Sequence, residues 1–185
     1  MDASRGRRIR IAVDVASLFL AAMLGVSALD ATPARAHRID LVTPNRAGPI
    51  VRGETTMGDM RGWFGRPTVR RMTRVGCVQV VSATWGSKLR VYASRGEVRI
   101  VEAIFVSARR ITSDDHGDLR MHTRRGLRVG DGEDRLRQLY PRSTGETHAG
   151  HTHYRLRTGD SGAYLMAKVI DGAVVKLEAW PYEFC

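Results

Sequence analysis

The sequence predicts an α+β fold: two tandem copies of a short helix followed by a three- to four-stranded antiparallel sheet. Three observations predict it. Sliding the chain along itself by 76 residues aligns 51–104 with 127–180 without a gap, and ten of those 54 positions are identical. Each aligned half opens with apolar residues at helical spacing. Each then continues in strand-like segments closed by turn signals. The identities are Arg52/Arg128, Arg61/Arg137, Arg66/Arg142, Thr68/Thr144, Gly86/Gly162, Leu89/Leu165, Gly96/Gly172, Val98/Val174, Glu102/Glu178 and Ala103/Ala179. Chance at this composition gives about three or four.

Residues 1–36 read as a secretory signal. Arg5-Gly6-Arg7-Arg8-Ile9-Arg10 is a positive head, and Val15 to Leu29 is an uncharged, mostly apolar run. Ala34-Arg35-Ala36 is a small-x-small cleavage site, with Val26-Ser27-Ala28 as the alternative. A spanning helix needs about 20 apolar residues; this run is shorter, and Asp14 stops its extension. The expected location is therefore secreted or envelope-associated, with no membrane span after cleavage. Residues 37–46 look irregular. The expected boundaries are 47–110 for the first repeat, 111–122 for a linker and 123–185 for the second repeat.

In the first copy Thr55 or Thr56 is the candidate N-cap, followed by Met57, Met60, Trp63 and Phe64 at helical spacing. In the second, Asp131 takes the cap position, Asp134 lies in the first turn, and Leu136, Leu139 and Tyr140 form the stripe. Gly65-Arg66-Pro67 and Pro141 end the helices. Strands are expected over Cys77 to Trp85, Leu89 to Tyr92 and Val98 to Val106, with a fourth in 68–75. Their counterparts are Thr152 to Thr158, Ala163 to Ile170 and Val174 to Trp180. Asp171-Gly172 is a strong hairpin signal. A unit of about 60 ordered residues is marginal alone, so two units should share a sheet or a core.

The chain has two cysteines, Cys77 and Cys185. Outside the cytoplasm two thiols usually pair, so an intramolecular Cys77–Cys185 disulfide is expected, with a free or intermolecular Cys185 as the alternative. The formal net charge is +11. Cleavage after Ala36 leaves 25 basic residues against 16 acidic ones, or +9. Such a surface attracts polyanions. Yet 27 Arg against 3 Lys is what a G+C-rich genome produces unselected, and no basic run marks a polyanion patch. The expected partner is a protein or an anionic envelope polymer, with no nucleic acid.

Thr55-Thr56-Met57 through Phe64-Gly65-Arg66-Pro67, and Asp131 through Tyr140-Pro141, each preceding strands, carry a resemblance, although a capped helix ending in Gly-x-Pro before strands is a common pattern. Over residues 47–185 the chain resembles the β-lactamase inhibitory protein family and related small envelope proteins. The resemblance implies a duplicated helix-plus-sheet fold in an exported, disulfide-bearing protein. In those inhibitors each repeat holds its own cystine; here Cys77 aligns with His153 and not with Cys185. No inhibitory residue is carried over.

His148-x-x-His151-x-His153 is the tightest ligand cluster in the sequence. His151 and His153 share one face of a strand, a chelate suited to Zn²⁺ or Cu²⁺, but no Cys or carboxylate completes the site nearby, and a solvated polar hairpin is the preferred reading. Asp114, Asp115 and Asp118 lack the Gly and terminal Glu of a Ca²⁺ loop. Gly130-Asp131-Gly132-Glu133-Asp134 reads as helix capping, and the recurrence of Glu102 and Glu178 reads as structural. No nucleophile elbow, supported Cys–His pair or His-Glu-x-x-His occurs, so no enzyme and no cofactor is expected. Trp63 belongs to the helix stripe. Trp85, Tyr92, Tyr164 and Trp180 lie on sheet elements and are candidates for an aromatic binding face. The expected function is an exported non-catalytic binding module. The alternatives are a metal-binding protein using the His cluster and an inhibitor of a secreted hydrolase.

Overall fold

The computed structural model describes residues 40–156 and 163–181. The expected signal peptide and Cys185 lie outside them, and the elements below belong to the unit Arg35–Cys185. The described chain begins with three short strands, β1 (Leu41–Thr43), β2 (Arg46–Ala47) and β3 (Ile50–Val51). Helix α1 (Met57–Phe64) leads into a meander of β4 (Val69–Val75), β5 (Val78–Trp85), β6 (Leu89–Ala93) and β7 (Val101–Val106). A hairpin of β8 (Arg110–Ser113) and β9 (Gly117–Arg120) comes next, then β10 (His122–Thr123), which pairs in parallel with β1. Helix α2 (Glu133–Leu139) leads into β11 (Thr144–His148), β12 (His151–Leu156), β13 (Ala163–Ile170) and β14 (Ala173–Pro181).

The expected class is corrected. The fold is mostly β, with 54% of the described residues in strands and 11% in two helices. That strand content, not two helix-plus-sheet copies, defines the fold; the expected sharing of a sheet is found, since β7 pairs antiparallel with β14 and one eight-stranded sheet runs β11-β12-β13-β14-β7-β6-β5-β4. The physical reason is burial. Helices of eight and seven residues offer a stripe too narrow to cover a four-stranded sheet alone. Joining edge to edge pairs the strands that would otherwise be left open.

The uniform offset of 76 does not persist either. Val101 N–H donates to Thr55 C=O (2.8 Å) and Val174 N–H to Asp131 C=O (2.8 Å), seating each helix start against a hairpin. The acceptors lie 76 residues apart and the donors 73. Glu102 and Glu178, identical at offset 76, therefore do not occupy matching places. Glu178 lies opposite Phe105 at the β7–β14 seam.

The sequence explains each helix locally. Thr56 is the N-cap of α1: its Oγ1 accepts from Asp59 N–H (3.1 Å), and Asp59 Oδ2 accepts from Thr56 N–H (2.9 Å), a reciprocal capping box. Thr55 instead turns inward and accepts Val51 N–H on Oγ1 (2.8 Å). Met57 and Met60 are buried beneath α1. For α2 the expected Asp131 cap is corrected to Gly132, which supplies no side chain. The Asp131 carboxylate accepts from Arg128 N–H (2.8 Å) and Arg109 Nη2 (3.1 Å). A polar clip holds α2 to the sheet: Tyr154 O–H donates to Glu133 Oε1, and Arg137 Nη2 donates to Tyr154 Oη (2.6 Å) and to Glu133 Oε1 (2.8 Å). Those bonds, from Tyr154 first, hold the Glu133 carboxyl below its ordinary range.

Residues 111–122, expected as a linker, carry most of β8 and all of β9. Ile111, Leu119 and Met121 are buried in the main core. Ser113 Oγ and Asp114 N–H both donate to Trp63 C=O (2.9 and 2.7 Å), so this hairpin closes the C-terminal end of α1. The core lies between the sheet and these covering elements, with Ile50, Met60, Leu89, Ile104, Leu136, Leu165 and Leu177 fully enclosed.

Candidate functional site

Residues directly opposed across antiparallel strands share a face. One row crosses all eight strands: Thr144, Arg155, Met166, Glu178, Phe105, Arg90, Thr84, Val69. This row lies on the face opposite the main core, whose own row includes Tyr154, Ala167, Leu177 and Val106. The outer face is the candidate site.

Its centre is aromatic. The Tyr92 and Phe105 ring centroids lie 4.7 Å apart, Phe105 and Trp180 5.1 Å, and Tyr92 and Trp180 6.1 Å, all near edge-to-face. Phe105 is buried, while Tyr92 and Trp180 are half-buried. Tyr164 is the cross-strand neighbour of Trp180, and the Arg155 guanidinium sits 4.8 Å from its ring centre. Burial pushes the Tyr164 phenol up, against the nearby Arg155 charge.

Charge surrounds the rings. Glu178 is buried, and its Oε2 accepts from Trp180 Nε1 (2.9 Å). Its Oε1 lies 3.5 Å from Lys176 Nζ, which also stands 5.9 Å from the Phe105 ring centre. One buried carboxylate thus orients an indole and an ammonium over the same patch. A second row runs Glu146, His153, Lys168, Lys176. Lys168 and Lys176 face each other directly, and like charges so placed are destabilising. The chain has only three lysines. Compositional bias that favours arginine does not explain two of them meeting here.

The structure sorts the sequence candidates. Tyr92, Tyr164 and Trp180 converge on this face. Trp85 does not, and that expectation is corrected: it is buried on the core side, donates Nε1–H to Gly65 C=O (3.0 Å) and packs on Phe64. Its strand alternates, and Trp85 falls on the inward phase with Ala83 and Val81. His148 pairs with His151 across the β11–β12 hairpin, and the His151 and His153 rings lie 5.0 Å apart. Burial is the main cause holding the His153 imidazole below its ordinary range; Glu178 opposes it, while His151, Lys168 and Lys176 add to it. Among the described residues no three His, Cys, Asp or Glu side chains gather closely enough to hold a metal ion. Asp118 accepts from Thr112 Oγ1 (2.9 Å) and pairs with Arg110 (3.3 Å), which accounts for one member of the acidic hairpin. Cys77 lies in the exposed β4–β5 turn, and its expected partner Cys185 is outside the described residues.

Sequence reasoning missed Phe105, Arg155, Lys168 and Lys176. The Asp171-Gly172 turn sets Ile170 opposite Ala173, and a simple continuation would place Lys168 opposite Val175. A bulge after Lys168 shifts the register and brings in Lys176. No residue pattern announces that bulge.

No family model matches the chain, and no curated protein matches it in sequence. Two solved structures resemble it. An extracellular protein containing an SCP domain from Bacillus anthracis str. Ames aligns over 70% of this chain with TM-score 0.39 and 7% identity. The aligned part spans 43% of that protein. A provisionally named beta-lactamase inhibitor protein from Streptococcus mutans aligns over 77% of this chain and 91% of its own, with TM-score 0.27 and 13% identity. Among the described residues no helix is long and apolar enough to cross a membrane.

Proposed function

We propose that the chain is an exported, non-catalytic binding module that takes a protein partner on the outer face of its eight-stranded sheet. The observation that carries this reading is the unfavourable opposition of Lys168 and Lys176 beside the Tyr92–Phe105–Trp180 group. Like charges on opposed strand positions lower stability; the Glu178 carboxylate offsets this for Lys176, and Lys168, with no ion pair among the described residues, is the charge left for a partner. An aromatic centre ringed by cations suits a partner that presents an apolar residue flanked by carboxylates. Arg90 and Arg155 extend the same charge on either side of the rings.

Inhibition of a secreted hydrolase is one form this binding can take. Metal binding through His148, His151 and His153 ranks lower, because Lys168 and Lys176 stand in the row beside His153 and oppose a cation. The reading is tested by capture from an envelope and secreted-protein fraction at low salt. Wild type should retain a discrete partner that Trp180→Ala and Lys168→Glu lose while remaining folded. Equal capture by wild type and both variants, or none in repeated trials, overturns it.

A further inference from the structure

The charge of this protein is unevenly placed. Residues 60–96 hold eight cations, Arg61, Arg66, Arg70, Arg71, Arg74, Lys88, Arg90 and Arg95, and no Asp or Glu. That stretch is α1 after its first-turn Asp59, together with the β4–β6 end of the sheet. Among the described residues, strand β4 is a sheet edge, paired only with β5. Its arginines, Arg70, Arg71 and Arg74, are all exposed, as is Arg66 just before it. Among the described residues no ion pair engages any of the eight. Apolar side chains stand between the arginines: Val69 and Met72 are each 52% exposed and Val78 is 40% exposed.

We propose that the β4 edge and the β4–β5 hairpin dock on an anionic phospholipid surface. The edge borders the outer face and shares Val69 with its row, but it lies at the far end from the Tyr92–Phe105–Trp180 centre, and the proposal does not depend on the protein-binding reading. Positive edge residues discourage pairing with another strand, and this alone explains arginine on β4. It does not explain exposed Met72 and Val69 among them, since large apolar side chains on an edge invite the pairing that the charges deter. Cations interleaved with exposed apolar groups are the composition of a shallow interfacial anchor. The arginines point to both faces of the edge, because successive strand residues alternate. A planar array of headgroups can engage both sets, whereas one small anion cannot.

The test is co-sedimentation of the full mature chain with phosphatidylglycerol/phosphatidylcholine vesicles and with phosphatidylcholine alone. Wild type should bind only the anionic vesicles, and less as salt rises. At about 1 kcal/mol per cation near such a surface, the triple variant Arg70→Ser, Arg71→Ser, Arg74→Ser should bind about a hundredfold more weakly, and the matching Lys triple should bind normally. Val69→Ser with Met72→Ser should also weaken vesicle binding. Equal binding to neutral vesicles, or full binding by the Ser triple, overturns the proposal. Unchanged vesicle binding by the Val69/Met72 variant, with equal binding to soluble polyphosphate, also overturns it and assigns the edge to a dissolved polyanion. If the Ser triple instead self-associates and wild type ignores all vesicles, the arginines only guard the edge.

Discussion

Replacing Gly145 by alanine should destabilise the protein through Tyr154, which lies on the core side of the sheet, opposite the aromatic face. A Cβ on Gly145 would lie 2.7 Å from Tyr154 Cε1, 3.0 Å from its Cζ and 3.1 Å from Thr152 Cγ2. The backbone of β11 does not require glycine, so without a clash alanine would stabilise the strand by about 0.5–1 kcal/mol. The Tyr154 ring cannot step aside freely. It is buried, and its hydroxyl is held by Glu133 and Arg137. Forcing an extra carbon into such packing costs about 1–3 kcal/mol, and losing a hydrogen bond to a charged group adds about 1.5 kcal/mol. The net loss should be about 3 kcal/mol, or roughly 6–12 °C in Tm for a chain of this size. Calorimetry on wild type, Gly145→Ala, Tyr154→Val and the double variant separates the causes. In the Tyr154→Val background the Gly145→Ala change should cost almost nothing. A stabilised Gly145→Ala, or equal losses in both backgrounds, would refute the clash.

Other outcomes follow from the same geometry. His153 is held below its ordinary range, so the unfolded chain binds its proton first, and stability should fall as pH drops below about 6.5. The groups facing it are Glu146, His151, Lys168, Lys176 and Glu178. His153→Gln should flatten that acid slope in urea titrations, and an unchanged slope would remove His153 as its source. Lys168→Glu should raise stability by about 0.2–1 kcal/mol, because an opposite-charge pair replaces a repulsive one, while abolishing partner capture. A destabilised variant would show that the lysines do not oppose each other. The Cys77–Cys185 bridge we propose closes a long loop, worth about 4–5 kcal/mol in the chain-entropy model. Cys77→Ser should lower Tm accordingly, and two free thiols in oxidised wild type would exclude the bridge.

What the sequence made legible was local. The Met57–Phe64 helix follows from a threonine N-cap and apolar residues at helical spacing, whereas the reciprocal Asp59 cap emerged only in the structure. The hairpin at Asp171-Gly172 follows from its turn chemistry, with Asp171 at φ 49° and Gly172 at φ 71°. Long-range pairing was not legible. A shared sheet was expected, but nothing in Val101–Val106 or Ala173–Pro181 states that these are the two strands that meet. Ile111, Leu119 and Met121 were hidden in a stretch whose Asp and Gly residues read as solvent-facing linker. The phase of β5 decided Trp85: alternation allows either face, and only packing under Phe64 selects the inner one. The face itself depends on the bulge at Lys168/Val169, a one-residue shift that local propensity cannot supply.

The account stands or falls on whether a protein covers the outer sheet face. The chain's three lysines make the measurement simple, since Lys168 and Lys176 lie on that face and Lys88 lies in the exposed β5–β6 turn. Acylation by an amine-reactive reagent, read by mass spectrometry with and without the captured partner, reports each one separately. The expected result is protection of Lys168 and Lys176 with Lys88 unchanged. Protection of Lys88 alone, or equal labelling of all three in the saturated complex, would contradict the account.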